Sequence, residues 1–360
     1  PALAPSVAPH LPHRVVSLLA LLLAAGCTNA TDDSPTTDEL PFAGQTLTIA
    51  VDDPDLATAL RSLAGEWHAE TECGLDIVAA TGGTAEPQPT ADVLIIPTAQ
   101  LGAAADGDRL LEFPSALVES ASLDWSDVFE RVRESECVWD RRIVALPLGS
   151  PPLVCLYRAD LLAASNTTPP ETWTDYQSVV TDFAAPDRAA QQPAVETFSP
   201  ALEPLAPGWA GITLLARAAA YASHDDNYST LFRVDTFEPL IDGPPFVRAL
   251  EELIRVAAAA NHPLTEMTSD DCRSAFLRGE SALAVALFDP AAPDATISVD
   301  AVGIGELPGS RDVYDVTNAA WDTRDARDSP YVTMLAVSGR LAVVAASSKS
   351  LRAAEILVAH

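Results

Sequence analysis

From Gln45 onward, short apolar runs alternate with amphipathic stretches. "TLTIAV" (Thr46–Val51) is a β-rich run that stops at Asp52-Asp53-Pro54. "DLATALRSLAGEWHAET" then sets Leu56, Leu60, Leu63, Ala64 and Trp67 at three-and-four spacing, which predicts a helix. "GLDIVAATGG" (Gly74–Gly83) reads as a second strand closed by a glycine pair. "ADVLIIPT" (Ala91–Thr98) is apolar throughout, the pattern of a parallel strand buried on both faces. Strands alternating with helices imply an α/β lobe with a mostly parallel sheet. Ligands of such sheets bind just beyond the strand C-termini, where loops and helix N-termini offer unpaired N–H groups. That rule selects Asp52, Asp53, Thr81, Gly82 and Thr98. Farther along, "WDRRIVALPLGSPPLVCLYRADLLAASNTTPPETWTDYQSVV" holds a hairpin-like start, an ALP-x-G loop and an apolar strand ending in Tyr157. A short helix at Ala159–Ala164 follows, and then a helix start with Thr172 as N-cap and Asp175 at the capping-box position.

Upstream of this the pattern changes. The apolar segment Val15–Ala25 is about half of the roughly 20 residues that a membrane-crossing helix needs. His10, His13 and Arg14 precede it and small residues follow it, which are the regions of an export signal. Leu23-Ala24-Ala25-Gly26-Cys27 resembles the bacterial lipobox, which implies lipid on the Cys27 thiol and cleavage just before it. Residues 1–27 are thus expected to be a lipoprotein signal peptide, and residues 28–44, rich in Thr, Asp, Ser and Pro, a flexible tether. The expected location is outside the cytoplasm, anchored by lipid on the periplasmic or cell-surface side of a bacterial membrane.

Composition narrows the function classes. Hydrophobic residues make up 48% of the chain and charged ones 20%, as in a globular protein. The length beyond the tether favours two lobes over one core. With 51 acidic against 21 basic residues the net charge is −30, which repels phosphate backbones and argues against nucleic-acid partners. Besides Cys27 there are Cys73, Cys137, Cys155 and Cys272, whose three possible pairings the sequence leaves open. Cys73 and Cys137 stand in polar, loop-like settings, whereas Cys155 in "PLVCLYR" reads as a buried, inert thiol. The six histidines show no metal-ligand spacing, and no Cys-x-x-Cys occurs, so neither a metal nor a redox cofactor is expected.

The ordered set from Trp139 to Val180 resembles the family 1 extracellular solute-binding proteins, sugar-binding relatives of maltose-binding protein that serve ATP-binding-cassette importers. "PGWAGITLLARAAAYA", "FEPLIDGPPFVRALEELIRVAA", "DDCRSAFLRGESALAVALFD", "VGIGELPGS" and the segment from Pro330 to His360 follow in that family's order. The resemblance implies a type II, two-lobe periplasmic-binding-protein-like α/β fold, with hinged lobes around a ligand cleft. It puts residues 45–149 and 288–336 in the first lobe, and 150–287 and 337–360 in the second. The Pro-rich loop Ala185–Pro207 then belongs to the second lobe. A chain without an initial Met that stops inside a helix where the family continues is expected to be a fragment.

The implied activity is capture of a small polar solute, a carbohydrate foremost, and its delivery to a membrane permease driven by an ATPase, with no chemical step. Trp209 matches the position where an aromatic approaches the family's cleft, and Phe288-Asp289 align with a cleft-facing aromatic. Ser150 stands at the lobe crossover, while Trp321 and Asp322 come from a segment, Arg311–Ser329, longer than in simpler members. Asp52 and Asp53 serve equally as helix caps. The rival readings are an exported lipoprotein that keeps the fold without transport, and a secreted glycoside hydrolase. Gly149-Ser150 is not a nucleophile elbow, because no G-x-S-x-G is present and Pro151-Pro152 blocks the helix. "GIGELPG" has the wrong spacing for a dinucleotide loop and reads as a strand end.

Overall fold

The computed structural model describes residues 42–80, 91–120, 123–186, 195, 197–289, 295–332 and 339–360. The first half of the chain opens with β1 (Thr46–Val51), α1 (Pro54–Thr71), β2 (Gly74–Ala79) and β3 (Val93–Pro97). Short helices α2 (Leu101–Ala105), α3 (Ser115–Val118) and α4 (Glu130–Ser135) lead to a hairpin of β4 (Val138–Trp139) and β5 (Arg142–Ile143). Strand β6 (Leu146–Gly149) is followed at once by β7 (Leu153–Arg158), α5 (Ala159–Ala164) and α6 (Trp173–Ala184). After these come β8 (Ser199–Leu202), α7 (Ala210–Ala222), α8 (Pro244–Ala259), α9 (Ser269–Leu277) and β9 (Ser281–Leu287). The chain ends with β10 (Val302–Gly305), a hairpin of β11 (Asp312–Asp315) and β12 (Ala320–Thr323), β13 (Arg340–Val344) and α10 (Leu351–Ala359). No helix among the described residues is long and apolar enough to cross a membrane.

Two sheets organise the molecule. The first has the order β2-β1-β3-β13-β6, with β1 parallel to β2 and β3, and β13 antiparallel to both of its neighbours. Alternation along its strands feeds two cores, one on each face. Leu47, Ile49, Val93, Ile95 and Val344 join Ala57 and Trp67 of α1 and Ala353 of α10. Ala50, Leu94, Ile96, Leu341 and Val343 join Leu101 and Ala104 of α2 on the other side. Leu63, expected on the buried stripe of α1, is 57% exposed, because the stripe runs instead through Ala57, Trp67 and Thr71.

The second sheet has the order β10-β7-β9-β8 and carries its own core. Strand β9 is buried at every position. Helix α6 starts at the expected capping box of Thr172 and Asp175 and buries Trp173, Tyr176, Val179, Val180 and Phe183 at helical spacing. Two segments expected as loops are strands here. "LPLG" is β6, and Ser199–Leu202 inside the Pro-rich stretch is β8, which tolerates Pro200 because it is an edge strand.

The expected lobe assignment of the C-terminal third is corrected by the pairing. Residues 302–305 pair into the second sheet, the separate hairpin of 312–323 packs on α7 and α8 beside it, and 340–360 belong with the first sheet. Strand β10 pairs with β7, and Gly303 permits it, since a Cβ there would collide with the Tyr157 ring. Strand β13 lies between β3 and β6, and Ala353 and Ala354 of α10 pack into the first sheet's core. The cysteine settings are corrected as well. Cys73 and Cys137 are fully buried, as are Cys155 and Cys272, and all four are free thiols. Burial, with the charge of Glu136 adding to it, pushes the Cys137 thiol up to about 12. Burial does the same to Cys155, again to about 12, with Glu203 adding and Arg217 opposing.

The second core encloses charge. Arg217 is wholly buried, 2.6 Å from Glu203 and 3.2 Å from Glu252, with its guanidinium 3.9 Å from the centre of the Trp173 ring. Tyr221 donates its hydroxyl to Glu252, and Arg248 links Glu252 to Asp312 of β11. Burial alone would lower the Arg217 pKa, but Glu203, Tyr176 and Glu252 hold it above its ordinary value. Arg217→Met leaves two buried carboxylates without their cation, which is expected to cost about 3–5 kcal/mol in urea unfolding. A loss below about 1 kcal/mol would show that the network is not what holds this core together.

Candidate functional site

Strand β13 runs antiparallel between β3 and β6, so its first residue lies at the edge where its neighbours end. Arg340 stands opposite Pro97 and Gly149, and Val51 is in register with Ile95. This one edge therefore collects Asp52 and Asp53 after β1, Thr98 after β3, Ser150 after β6, and Gly339-Arg340.

Asp52 is exposed. Asp53 is the N-cap of α1, its Oδ1 accepting from the N–H groups of Asp55 and Leu56 at 3.0 and 3.1 Å. Its Oδ2 is 3.9 Å from Nη2 of Arg340. Thr98 and Ser150 converge on a group that the sequence reading missed, the Glu136 carboxylate just after α4, which is 1% exposed. Ser150 Oγ donates to its two oxygens at 2.9 and 3.0 Å, and Thr98 Oγ1 donates at 3.4 Å. The Thr98 N–H donates to the Gly339 carbonyl at 3.1 Å. Gly339 leaves no room for a side chain, because a Cβ there would run into Thr98 Oγ1 and lie 3.1 Å from Glu136 and 3.2 Å from Ser150.

The second sheet presents its own edge across the crossing Ser150-Pro151-Pro152. Strand β9 ends beside the start of β7, with Leu287 opposite Leu153, and the Phe288 N–H donates to the Pro152 carbonyl at 2.8 Å. Phe288 follows directly and is 38% exposed. Asp289 is engaged by Arg273 at 3.3 Å, so part of its charge is already balanced. Strand β8 is parallel to β9 and so ends at the same edge, and Gly208, with φ +90°, turns the following chain into α7. Trp209 occupies the N-cap position of α7, half-buried against the second core, with Pro207, Gly208, Ala210 and Gly211 exposed around it.

The fold does not bring Trp321 and Asp322 to this place. They lie on β12, whose hairpin packs on the far end of α7: Trp321 is 6.0 Å from the Tyr221 ring and Asp322 3.7 Å from His224. The 13 residues of α7 separate them from Trp209 by about 20 Å. Thr81, Gly82 and Cys27 lie outside the described residues. Beside the same hairpin, His224, Asp226 and Asp315 bring ligand-type atoms within 4.8 Å of one another. Protein groups already engage Asp315 and one ring nitrogen of His224. Asp315 accepts from the Thr317 and Asn318 backbone and the Asn318 amide, and the His224 Nδ1 accepts from the Asp226 N–H.

The arrangement offers two edges joined by the three-residue crossing. One is polar, with hydroxyls, carboxylates and a guanidinium, and the other carries Phe288 and Trp209. Rings supply flat faces for C–H surfaces, and the polar edge supplies donors and acceptors for hydroxyls. Arg340 had one sequence signal, a charge opening the buried run "RLAVV". Glu136, in the aperiodic "ESECVWD", had none.

No curated protein matches the chain by sequence. Solved structures do match in fold. An ABC transporter solute-binding protein from Agrobacterium radiobacter K84 in complex with ribitol aligns at 17% identity and TM-score 0.65, over 89% of this chain and 76% of that one. Maltose-bound MalE3 of T. maritima aligns at 15% and 0.61, over 88% and 76%. Thiaminase I from Bacillus thiaminolyticus aligns at 14% and 0.59, over 87% and 78%. These likenesses establish the two-lobe, type II binding-protein fold. The family model described as bacterial extracellular solute-binding protein matches residues 74–357, well over half of the chain, and the protein therefore belongs to that family.

Proposed function

We propose that this protein is the substrate-binding subunit of an ABC importer. It captures an uncharged carbohydrate or polyol in the crevice between the two sheet edges and delivers it to a membrane permease, while lipid on Cys27 keeps it at the membrane surface. The observation that carries this reading is the pairing of a polar edge, Asp53, Thr98, Ser150 and Arg340, with an aromatic one, Trp209 and Phe288, across a three-residue crossing. Ribitol and maltose in the structural relatives support the solute class. Ser150 is a hydrogen-bond donor to a buried carboxylate, with no histidine beside it among the described residues, which supports binding over nucleophilic chemistry.

Affinity in this reading comes from closure. A solute that touches both edges favours the closed arrangement by the free energy of the contacts made only there. Asp53 caps α1 from within the site, and Ala57 and Trp67 of that helix share the core of the first sheet. Glu136 ties Thr98 and Ser150 behind the crevice wall, which keeps their oxygens in place as the lobes approach.

Melting the protein against neutral polyols and sugars, ribitol and maltose among them, is expected to show stabilisation of about 2.7 kcal/mol at a hundredfold excess over Kd, with the solute recovered unchanged. Turnover of the solute would overturn the reading in favour of an enzyme. No stabilisation by any member would favour a lipoprotein that keeps the fold without transport. Gly339→Ala is expected to push Thr98 Oγ1 off Glu136 and cost about 1–3 kcal/mol of stability in the unliganded protein. Denaturant unfolding measures it, and an unchanged midpoint would mean that the wall is not close-packed.

A further inference from the structure

The site holds a charged group whose hydrogen-bonding capacity the protein leaves mostly unused. Arg340 opens β13 and extends over the end of β3 toward the N-terminus of α1. Its Nη2 is 3.9 Å from Asp53 Oδ2, too far for a hydrogen bond. Nη1 has only a long contact of 3.5 Å to the carbonyl of the neighbouring Gly339. Nε is buried without a partner among the described residues, a state it shares with the Nε of Arg109, Arg133, Arg142, Arg217 and Arg324, while the side chain as a whole is 29% exposed. A guanidinium presents five N–H donors in a rigid fork, and with neither Nη of Arg340 in a short bond to the protein, those N–H groups are left for a partner that arrives from outside. Asp53 is half-used in the same way. Its Oδ1 caps α1, and its Oδ2 faces Arg340 across the gap.

The gap sets the chemistry of what enters it. One wall only donates and the other only accepts, so a guest must do both, and a hydroxyl does. The fork of Arg340 further suits two hydroxyls on neighbouring carbons, which it reaches with two of its N–H groups. A ligand carboxylate or phosphate would satisfy Arg340 but would set a negative charge against Asp53. Asp52 lies beside it and Glu136 behind Gly339, both of the same sign, on a chain whose net charge is −30.

We infer that Arg340 and Asp53 are the specificity pair of the crevice, reading two adjacent hydroxyls of an uncharged polyhydroxy solute and rejecting its anionic analogues. The inference rests on the crevice being the solute site, and adds which residues choose and what they refuse.

Calorimetric titration of the purified protein tests it with ribitol, D-mannitol and maltose as neutral probes, glucuronate and ribose 5-phosphate as anionic ones, and glucosamine as a cationic one. The wild type is expected to bind a neutral probe at least tenfold more tightly than either anion. Arg340→Gln is expected to weaken the neutral probe about 10- to 100-fold, the worth of hydrogen bonds to a charged group. Arg340→Lys, which keeps the charge and loses the fork, is expected not to restore it. Asp53→Asn still caps α1, so it tests the pair without removing the cap, and it is expected to narrow the discrimination against glucuronate. Melting temperatures of the unliganded variants show whether each is folded. Anion binding as tight as neutral binding, glucosamine preferred over every neutral probe, or a folded Arg340→Gln that binds the neutral probe like the wild type would each overturn the pair while leaving the solute site standing. If no probe of any charge binds the wild type, the solute-site reading fails, and the pair falls with it.

Discussion

One strand direction governs the site. Because β13 runs antiparallel between β3 and β6, the chain re-enters the first sheet at the edge from which it left through Gly149. Both passages between the sheets therefore flank a single line of strand ends. A parallel insertion of the same strand would have put its first residue at the opposite edge and spread the two passages across the whole depth of the lobe. With both on one side, the second sheet is joined to the first at the carboxyl ends of β3 and β6, the edge at which α/β sheets bind ligands. The register does the rest, by setting Arg340 level with Pro97 and Gly149 and within reach of Asp53.

Charge can be kept at such an edge only if burial is compensated. Glu136 is almost fully enclosed, and hydroxyls from two different strand ends solvate its oxygens in place of water. The second lobe meets the same difficulty on a larger scale. Glu203 follows β8 directly and is buried with Arg217, Glu252 and Tyr221 in a chain of alternating sign that ends at Asp312 on the surface hairpin. The hairpin of β11 and β12 is thus fixed to α7 and α8 by charge and by edge-to-face contacts of Trp321 with Tyr221 and Tyr314. That anchoring is why Trp321, whose aromatic character suggested a place in the cleft, covers the far end of the helix instead.

Much of the local structure was legible because it is written in short-range pattern. The β1 run, the helix after Asp53-Pro54, the capping box at Thr172 and the inert setting of Cys155 all depend on residues within a few positions of one another. What was not legible depends on pairing between distant segments. "VGIGEL" and "RLAVV" are both short apolar strands, and nothing local says that the first pairs with β7 and the second with β3. The deciding fact is a ring, since Tyr157 lies over Gly303, and neither residue carries that information alone. Glu136 escaped for the same reason, its role being set by Thr98 and Ser150, which are remote in sequence. Of the site residues chosen from strand ends, Asp52, Asp53 and Thr98 stand on the edge that the strand-end rule names, whereas Trp321 and Asp322, chosen for residue type in a long segment, stand elsewhere.

The crossing itself limits how the lobes can move against each other. Ser150-Pro151-Pro152 contains two residues whose rings fix φ near −65°, and Pro152 is held by the Phe288 N–H. Ser150 is held in turn by Glu136. Little φ rotation is available within this passage, so it holds a nearly constant shape between β6 and β7. The other passage, between Thr323 and Arg340, ends at Gly339, whose carbonyl is bonded to Thr98 and whose neighbour is Arg340. The residue inferred to read the solute therefore stands where the chain returns to the first sheet. Because Gly339 packs against both Thr98 and Ser150, a ligand held by the neighbouring guanidinium would lie beside both passages between the sheets.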